Sequence, residues 1–139
     1  MRLVLDTSIV VAGLGSRNGA ANAILQRVAK ENFTLLASPP LFLEYEDVLL
    51  RAEHRLAHGL SPEQVEDFLA ALAAYIEPVR IYFHWRPQLV DPSDEIVLET
   101  AVNGRADAIV TNNFRHFSLV PERFRMKVLR PGELLRSTQ

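Results

Sequence analysis

The stretch Leu3-Val4-Leu5-Asp6-Thr7-Ser8-Ile9-Val10-Val11 sets a single carboxylate between two apolar runs. Three large aliphatic residues in a row, without polar alternation, fit a strand buried on both faces, and such strands belong to parallel sheets covered by helices. Asp6 is then the last residue of that strand, at the sheet edge where α/β folds carry their chemistry. Taken alone, Asp6 reads equally well as the cap of a helix beginning near Ser8.

Outward from this stretch, strands and helices alternate. Further strand candidates are Thr34–Ala37, Val79–Tyr82, Ala108–Thr111 and Met126–Leu129. Between them, Ile24, Leu25 and Val28 share one helical face, and Ser38-Pro39-Pro40 opens a second helix running to about Arg51. Ser61-Pro62-Glu63-Gln64 supplies an N-cap, a proline at the first helical position and a capping-box glutamine for a third helix ending near Glu77. A fourth starts at Pro92-Ser93 and stops at Asn103-Gly104, where glycine can supply a left-handed cap. Gly13 to Gly19 reads as a small polar loop. The alternation predicts an α/β fold, with a mainly parallel sheet of four to five strands and helices on both faces.

At 139 residues the chain is sized for one domain, 1–139, and is long enough to bury a substantial core. Its 48% hydrophobic and 23% charged residues are the balance of a folded protein rather than a disordered one. The absence of cysteine excludes a disulfide framework and a thiolate zinc site. No apolar run approaches the roughly 20 residues that cross a bilayer, and the chain enters its first strand directly. A soluble, cytoplasmic, unprocessed protein is therefore expected. A formal net charge of −2 argues against duplex binding driven by overall charge, which needs many phosphate contacts. Two local cationic groups stand out: Arg51, His54, Arg55 and His58 mid-chain, and Arg115, His116, Arg123, Arg125, Lys127 and Arg130 in the last quarter. Each reads either as a phosphate-facing rim or as a solvated face.

Parallel strands present their carboxyl ends on one edge, so Asp6 and the Asn112-Asn113 turn after Ile109-Val110-Thr111 are expected side by side. Glu44 falls in the helix after the second strand, and Asp94 in the first turn of the helix leading to Ala108–Thr111. Four separate segments can thus bring Asp6, Glu44, Asp94 and Asn113 to one acidic cleft. Clustered carboxylates repel unless a cation neutralises them, and hard oxygen donors with retained waters suit Mg²⁺ or Mn²⁺. Each position also has a plain structural reading. Asp91 and Asp94 can complement the start of a helix, Glu44 can be exposed like Glu46 and Asp47, and Asn113 can be a turn residue tolerating left-handed geometry. It is the conjunction that points to metal.

In order and spacing, four segments resemble the PIN domain family: Leu3-Val4-Leu5-Asp6-Thr7-Ser8, Leu43-Glu44-Tyr45-Glu46-Asp47-Val48-Leu49, Asp91-Pro92-Ser93-Asp94-Glu95, and Ala106-Asp107-Ala108-Ile109-Val110-Thr111-Asn112-Asn113-Phe114-Arg115-His116-Phe117. Within that family they resemble the VapC-like toxin components of bacterial and archaeal toxin-antitoxin systems. The resemblance spans essentially the whole chain.

What it implies is a three-layer α/β/α domain that hydrolyses RNA phosphodiester bonds with Mg²⁺ or Mn²⁺. It makes Asp6, Glu44, Asp94 and Asn113 the candidate catalytic set, with Ser8 and Thr111 lining the same cleft. The candidate metal ligands are Asp6, Asp94, Glu44 and Asp91. The family's fourth acidic position falls on Asn113, which offers an oxygen without charge; a second ion should then be weak or absent, and Asp91 is a candidate substitute. Arg115 or His116 could help with charge near the scissile phosphate, although a surface or packing role is the plainer reading of His116.

The resemblance also implies an antitoxin partner lying across the cleft or the neighbouring helices, and a homodimer. Val65, Phe68, Leu69 and Leu72 could serve such a contact, but their spacing is that of an ordinary core stripe. The Asn113 departure keeps open a catalytically weakened or inactive PIN-fold module that binds RNA or a protein partner. A receiver or haloacid-dehalogenase-like phosphatase, with Asp6 as a phosphorylated nucleophile, fits poorly. The only lysines are Lys30 and Lys127, and position 8 is serine where the phosphatase pattern wants a second Asp.

Overall fold

The computed structural model describes residues 1–84 and 88–138. In chain order the elements are β1 (Arg2–Leu5), α1 (Thr7–Gly15), α2 (Ala20–Ala29), β2 (Thr34–Ala37), α3 (Pro39–Leu50), α4 (Ala52–His58), α5 (Pro62–Ala73), β3 (Ile76–Pro78), α6 (Pro92–Asn103), β4 (Ala108–Val110), a 3-10 turn (Phe114–Phe117), α7 (Val120–Phe124), β5 (Lys127–Leu129) and α8 (Pro131–Ser137). The strands form one five-stranded sheet, β3-β2-β1-β4-β5, parallel at every pairing. Helices flank it, giving the three-layer α/β/α arrangement.

The unbroken apolar runs are explained by burial on both faces. Leu3, Val4, Leu5, Leu35, Leu36, Ile109 and Val110 expose no surface at all. Each such side chain contributes about 1.5–3 kcal/mol relative to exposure. Val65, Leu69 and Leu72 of α5 belong to the same core, with Phe68 packed against it, so the stripe faces inward rather than outward to a partner.

The chain runs from β1 outward through β2 to β3, then crosses back through α6 to β4 on the other side of β1. The direction reverses between β1 and β4, and in open α/β sheets the crevice at the carboxyl ends of such strands is where ligands bind. Leu5 pairs with Val110 at the end of the ladder, and the Asp6 amide donates to the Val110 carbonyl at 2.9 Å. Asp6 and the turn after β4 are therefore neighbours, as the strand order implied.

Several expectations are corrected. The third helix ends at Ala73 rather than near Glu77, and the following strand is Ile76–Pro78 rather than Val79–Tyr82. As the edge strand, β3 tolerates Pro78, and Glu77 pairs with Arg2 at 2.6 Å. The Val79 amide still reaches the Ala37 carbonyl, but the amides of Tyr82 and Phe83 donate to the side-chain oxygen of Asn103 at 2.9 and 3.1 Å. An asparagine amide replaces a neighbouring strand there.

The expected Gly13–Gly19 loop is shortened because α1 continues through Gly15. Gly13 is buried, and a Cβ there would come within 2.4 Å of Leu25 Cδ1, so glycine serves close packing between α1 and α2. Gly104 does not form a left-handed cap, since its φ is −86°; the left-handed residue is Arg105, φ 53°. Gly104 instead sits where a Cβ would lie 2.8 Å from Val79 and 3.1 Å from Leu36. Helices α4, α7 and α8 were not expected.

Candidate functional site

Asp6 occupies the N-cap position of α1 but does not cap it. Its Oδ2 accepts from Ser8 Oγ at 2.9 Å and from Thr111 Oγ1 at 2.6 Å, with the residue only 5% exposed. Each hydroxyl also accepts a backbone amide from the turn after β4: Asn112 N to Ser8 Oγ at 3.3 Å, and Asn113 N to Thr111 Oγ1 at 2.9 Å. Two hydroxyls thus relay Asp6 to the next strand's turn. On the other side, the fully buried Tyr45 hydroxyl donates to the Leu5 carbonyl. Burial first, and the Asp6 charge second, hold that phenol protonated well above its usual range.

Asp94 stands in the first turn of α6 and is 6% exposed. Its Oδ2 lies 2.9 Å from His116 Nδ1 on the 3-10 turn. Burial, and then the charge of Asp6, push its pKa up to about 6, with His116 pulling the other way. Asp91 is the N-cap of α6, its Oδ1 accepting the Ser93 amide at 2.8 Å, so the helix-start reading holds for it. Half-buried Glu44 on α3 accepts from Ser93 Oγ at 3.3 Å, unlike exposed Glu46 and Asp47 beside it. Asn113 is exposed and its φ of −102° is not left-handed; its side chain makes no cap to the 3-10 turn.

One cleft of about 360 Å³ is lined by Asp6, Ser8, Glu44, Asp91, Asp94 and Asn113, together with His54 and His116. The residues singled out in the sequence do converge. A contiguous groove of about 630 Å³ shares Asp91, Asp94 and His116 and adds Leu89, Arg115 and Leu119. Of the two cationic groups, only His54 from the first reaches the acidic cleft. Arg51 pairs with Asp47 at 2.9 Å, and the His58 ring bonds Leu49 O and the Leu60 amide. From the second, Arg115 and His116 reach the site, while Arg130 lies 4.5 Å over the Phe114 ring.

Sequence reasoning missed the role of Glu95 and Glu99, both buried on α6. Glu95 Oε1 accepts the amides of Gln88 and Leu89 at 2.6 and 2.8 Å, and Glu99 Oε1 lies 3.1 Å from His84 Nδ1. Asn103, four residues further on, grips Tyr82 and Phe83. Positions 95, 99 and 103 recur at helical spacing, and that polar stripe on an otherwise buried helix was the available signal.

The donor set suits a hard divalent cation. Two buried carboxylates face one cleft, and the charge of one makes ionisation of the other unfavourable, a situation a cation relieves. Among the described residues, no three His, Asp or Glu side chains already stand at ligand spacing. Asp6 Oδ2 is engaged by two hydroxyls and Asp94 Oδ2 by His116. Few protein ligands with several retained waters is the mode Mg²⁺ favours.

The fold of this chain is found in solved structures. Over 94% of this chain and 98% of the other, it superimposes on a chain in the crystal structure of VapBC2 from Rickettsia felis bound to a DNA fragment from their promoter, with TM-score 0.65 and 17% identity. FitAB bound to an IR36 DNA fragment gives a TM-score of 0.56 and 20% identity, over 93% of this chain and 94% of the other. A comparison with curated proteins found no match. The PIN domain family model matches residues 2–115, a span that begins in β1 and includes Asp6, Glu44, Asp94 and Asn113, and by that match the chain belongs to the PIN domain family.

Proposed function

We propose that this protein is a metal-dependent ribonuclease, a single PIN domain acting in the cytoplasm as the toxin component of a toxin-antitoxin pair. The observation that carries the reading is the convergence of buried Asp6 and Asp94 in one cleft, where burial and the charge of Asp6 disfavour ionisation of Asp94. Bound Mg²⁺ or Mn²⁺ supplies a water of lowered pKa and neutralises charge at the phosphate. Asp6 and Asp94 are the principal ligands, oriented by the Ser8 and Thr111 hydroxyls and by the first turn of α6. Glu44, tied to Ser93, acts directly or through water, and Asp91 stays chiefly with its helix. Arg115, in the adjoining groove, meets backbone phosphates of single-stranded RNA. An antitoxin partner is supported by the likeness in fold to VapBC2 and FitAB, and a homodimer by the family resemblance.

The test is cleavage of a mixed single-stranded RNA panel with Mg²⁺, with Mn²⁺ and with EDTA, using wild type, Asp6→Asn and Asp94→Asn. Metal-dependent cutting that both substitutions reduce at least about a hundredfold is the expected result. Asn113, uncharged and exposed, favours one second reading, a PIN module that binds RNA or a protein partner without cutting. Folded, partner-free wild type that cuts nothing with either metal would establish that reading instead.

A further inference from the structure

Asn113 leaves the acidic cleft one charge short, and the 3-10 turn that follows brings a different donor to the same place. In such a turn residues i and i+3 eclipse. Asn113 is the N-cap of this turn, and the His116 amide closes onto the Asn113 carbonyl at 2.9 Å. The His116 ring therefore returns to the cleft beside Asn113, and both line it. Its Nδ1 lies 2.9 Å from Asp94 Oδ2. Adjacent ligand atoms on an octahedral ion with bonds of about 2.1 Å are separated by roughly 3.0 Å. The 2.9 Å contact is an ordinary hydrogen bond, which holds imidazole nitrogen and carboxylate oxygen side by side at the cleft within the separation of neighbouring ligands; an ion binding both would displace the shared proton and draw the two lone pairs off the line between them toward itself.

We propose that His116 is itself a ligand of the divalent cation, supplying through Nδ1 the position that Asn113 leaves uncharged. The inference rests on the metal-dependent reading above and specifies its ligand set. It has a chemical consequence that an all-carboxylate site would not show. Oxygen donors suit Mg²⁺, whereas imidazole favours first-row transition ions, so the site discriminates for Mn²⁺ over Mg²⁺. His116 is half exposed, its side chain 52% accessible, so replacing it leaves the core untouched. His54 is the other imidazole on this cleft and serves as the control.

The experiment is pulsed electron paramagnetic resonance on Mn²⁺ bound to the full chain, read for hyperfine coupling to a directly coordinated ¹⁴N, with Mn²⁺ and Mg²⁺ affinities measured by competition. Wild type should show the nitrogen coupling, His116→Ala should lose it, and His54→Ala should keep it. His116→Asp should bind Mn²⁺ without the coupling, and its Mn²⁺ to Mg²⁺ affinity ratio should fall about tenfold. Mn²⁺ bound at the cleft without nitrogen coupling, or with coupling that His54→Ala rather than His116→Ala removes, would overturn the role of His116 and leave the nuclease reading standing. Failure of folded wild type to bind Mn²⁺ would overturn both.

Discussion

Thr111 Oγ1 lies 2.6 Å from Asp6 Oδ2, joining the residue after β1 to the residue after β4 across the point where the strand order reverses. The same hydroxyl accepts the Asn113 amide, so one side chain holds both the carboxylate and the turn. Thr111→Val keeps the shape and removes the donor and acceptor together. A bond to a charged group contributes about 1.5–3 kcal/mol, and urea unfolding should report a loss in that range. Mn²⁺ affinity should fall too, because Asp6 loses its orientation; unchanged affinity would mean that Ser8 suffices.

Asp94 makes stability depend on pH with a definite sign. Its folded pKa is raised from 3.8 to about 6, chiefly by burial and then by Asp6, so the folded state keeps its proton to higher pH than the unfolded chain. The favourable contribution is present below about pH 4 and is lost as pH rises to about 6. Measured in EDTA, Asp94→Asn should match wild type near pH 4 and melt higher above pH 6. Adding Mn²⁺ at pH 7 should stabilise wild type alone. Melting curves that shift in parallel from pH 4 to 7 would contradict the raised pKa.

Tyr45 anchors the strand end from below. Tyr45→Phe removes the hydroxyl that donates to the Leu5 carbonyl, inside the core and one residue from Asp6. The expected cost is about 1–2 kcal/mol by chemical denaturation, with weaker Mn²⁺ binding from the loosened Asp6. A stability loss without any change in binding would show that Asp6 is positioned by its hydroxyl partners alone.

Gly104 is fixed by space rather than by backbone conformation. An added Cβ would lie 2.8 Å from Val79 Cγ2 and 3.0 Å from the Thr100 carbonyl, so Gly104→Ala should cost about 1–3 kcal/mol through overpacking. The site is at the other end of α6, and Mn²⁺ affinity should change little. A neutral substitution would mean that Val79 and Leu36 move aside freely.

What could be read in the chain followed from strong local physics. Leu3-Val4-Leu5 and Ala108-Ile109-Val110 are buried on both faces, so their apolar runs mark strands directly, and a parallel sheet puts Asp6 beside the Asn113 turn. Ser61 and Gln64 form the reciprocal capping box their spacing announces. The failures came where tertiary contacts override local pattern. Val79 and Ile81 look like a strand, but the amides that follow are taken by Asn103. Gly104 looks like a cap, yet its place is dictated by Val79 and Leu36 from distant segments. The meeting of Asp6, Glu44 and Asp94 was readable from the order of the elements, but the 2.9 Å contact of His116 with Asp94 depended on how α6 and the 3-10 turn pack, which no local window contains.

The polar stripe Glu95, Glu99 and Asn103 runs down a helix whose remaining positions are mostly in the core. Gripped on that side by residues 82–84 and 88–89 and packed elsewhere against β1, β2 and β4, α6 has no route to fray separately. Its central amides should therefore exchange with solvent deuterium only when the whole fold opens, while those of α4, where Leu56 is 87% exposed, exchange through local opening. Asp94 stands in the first turn of this helix. The acidic half of the cleft is accordingly preorganised, and ligand binding need not expend energy on ordering it.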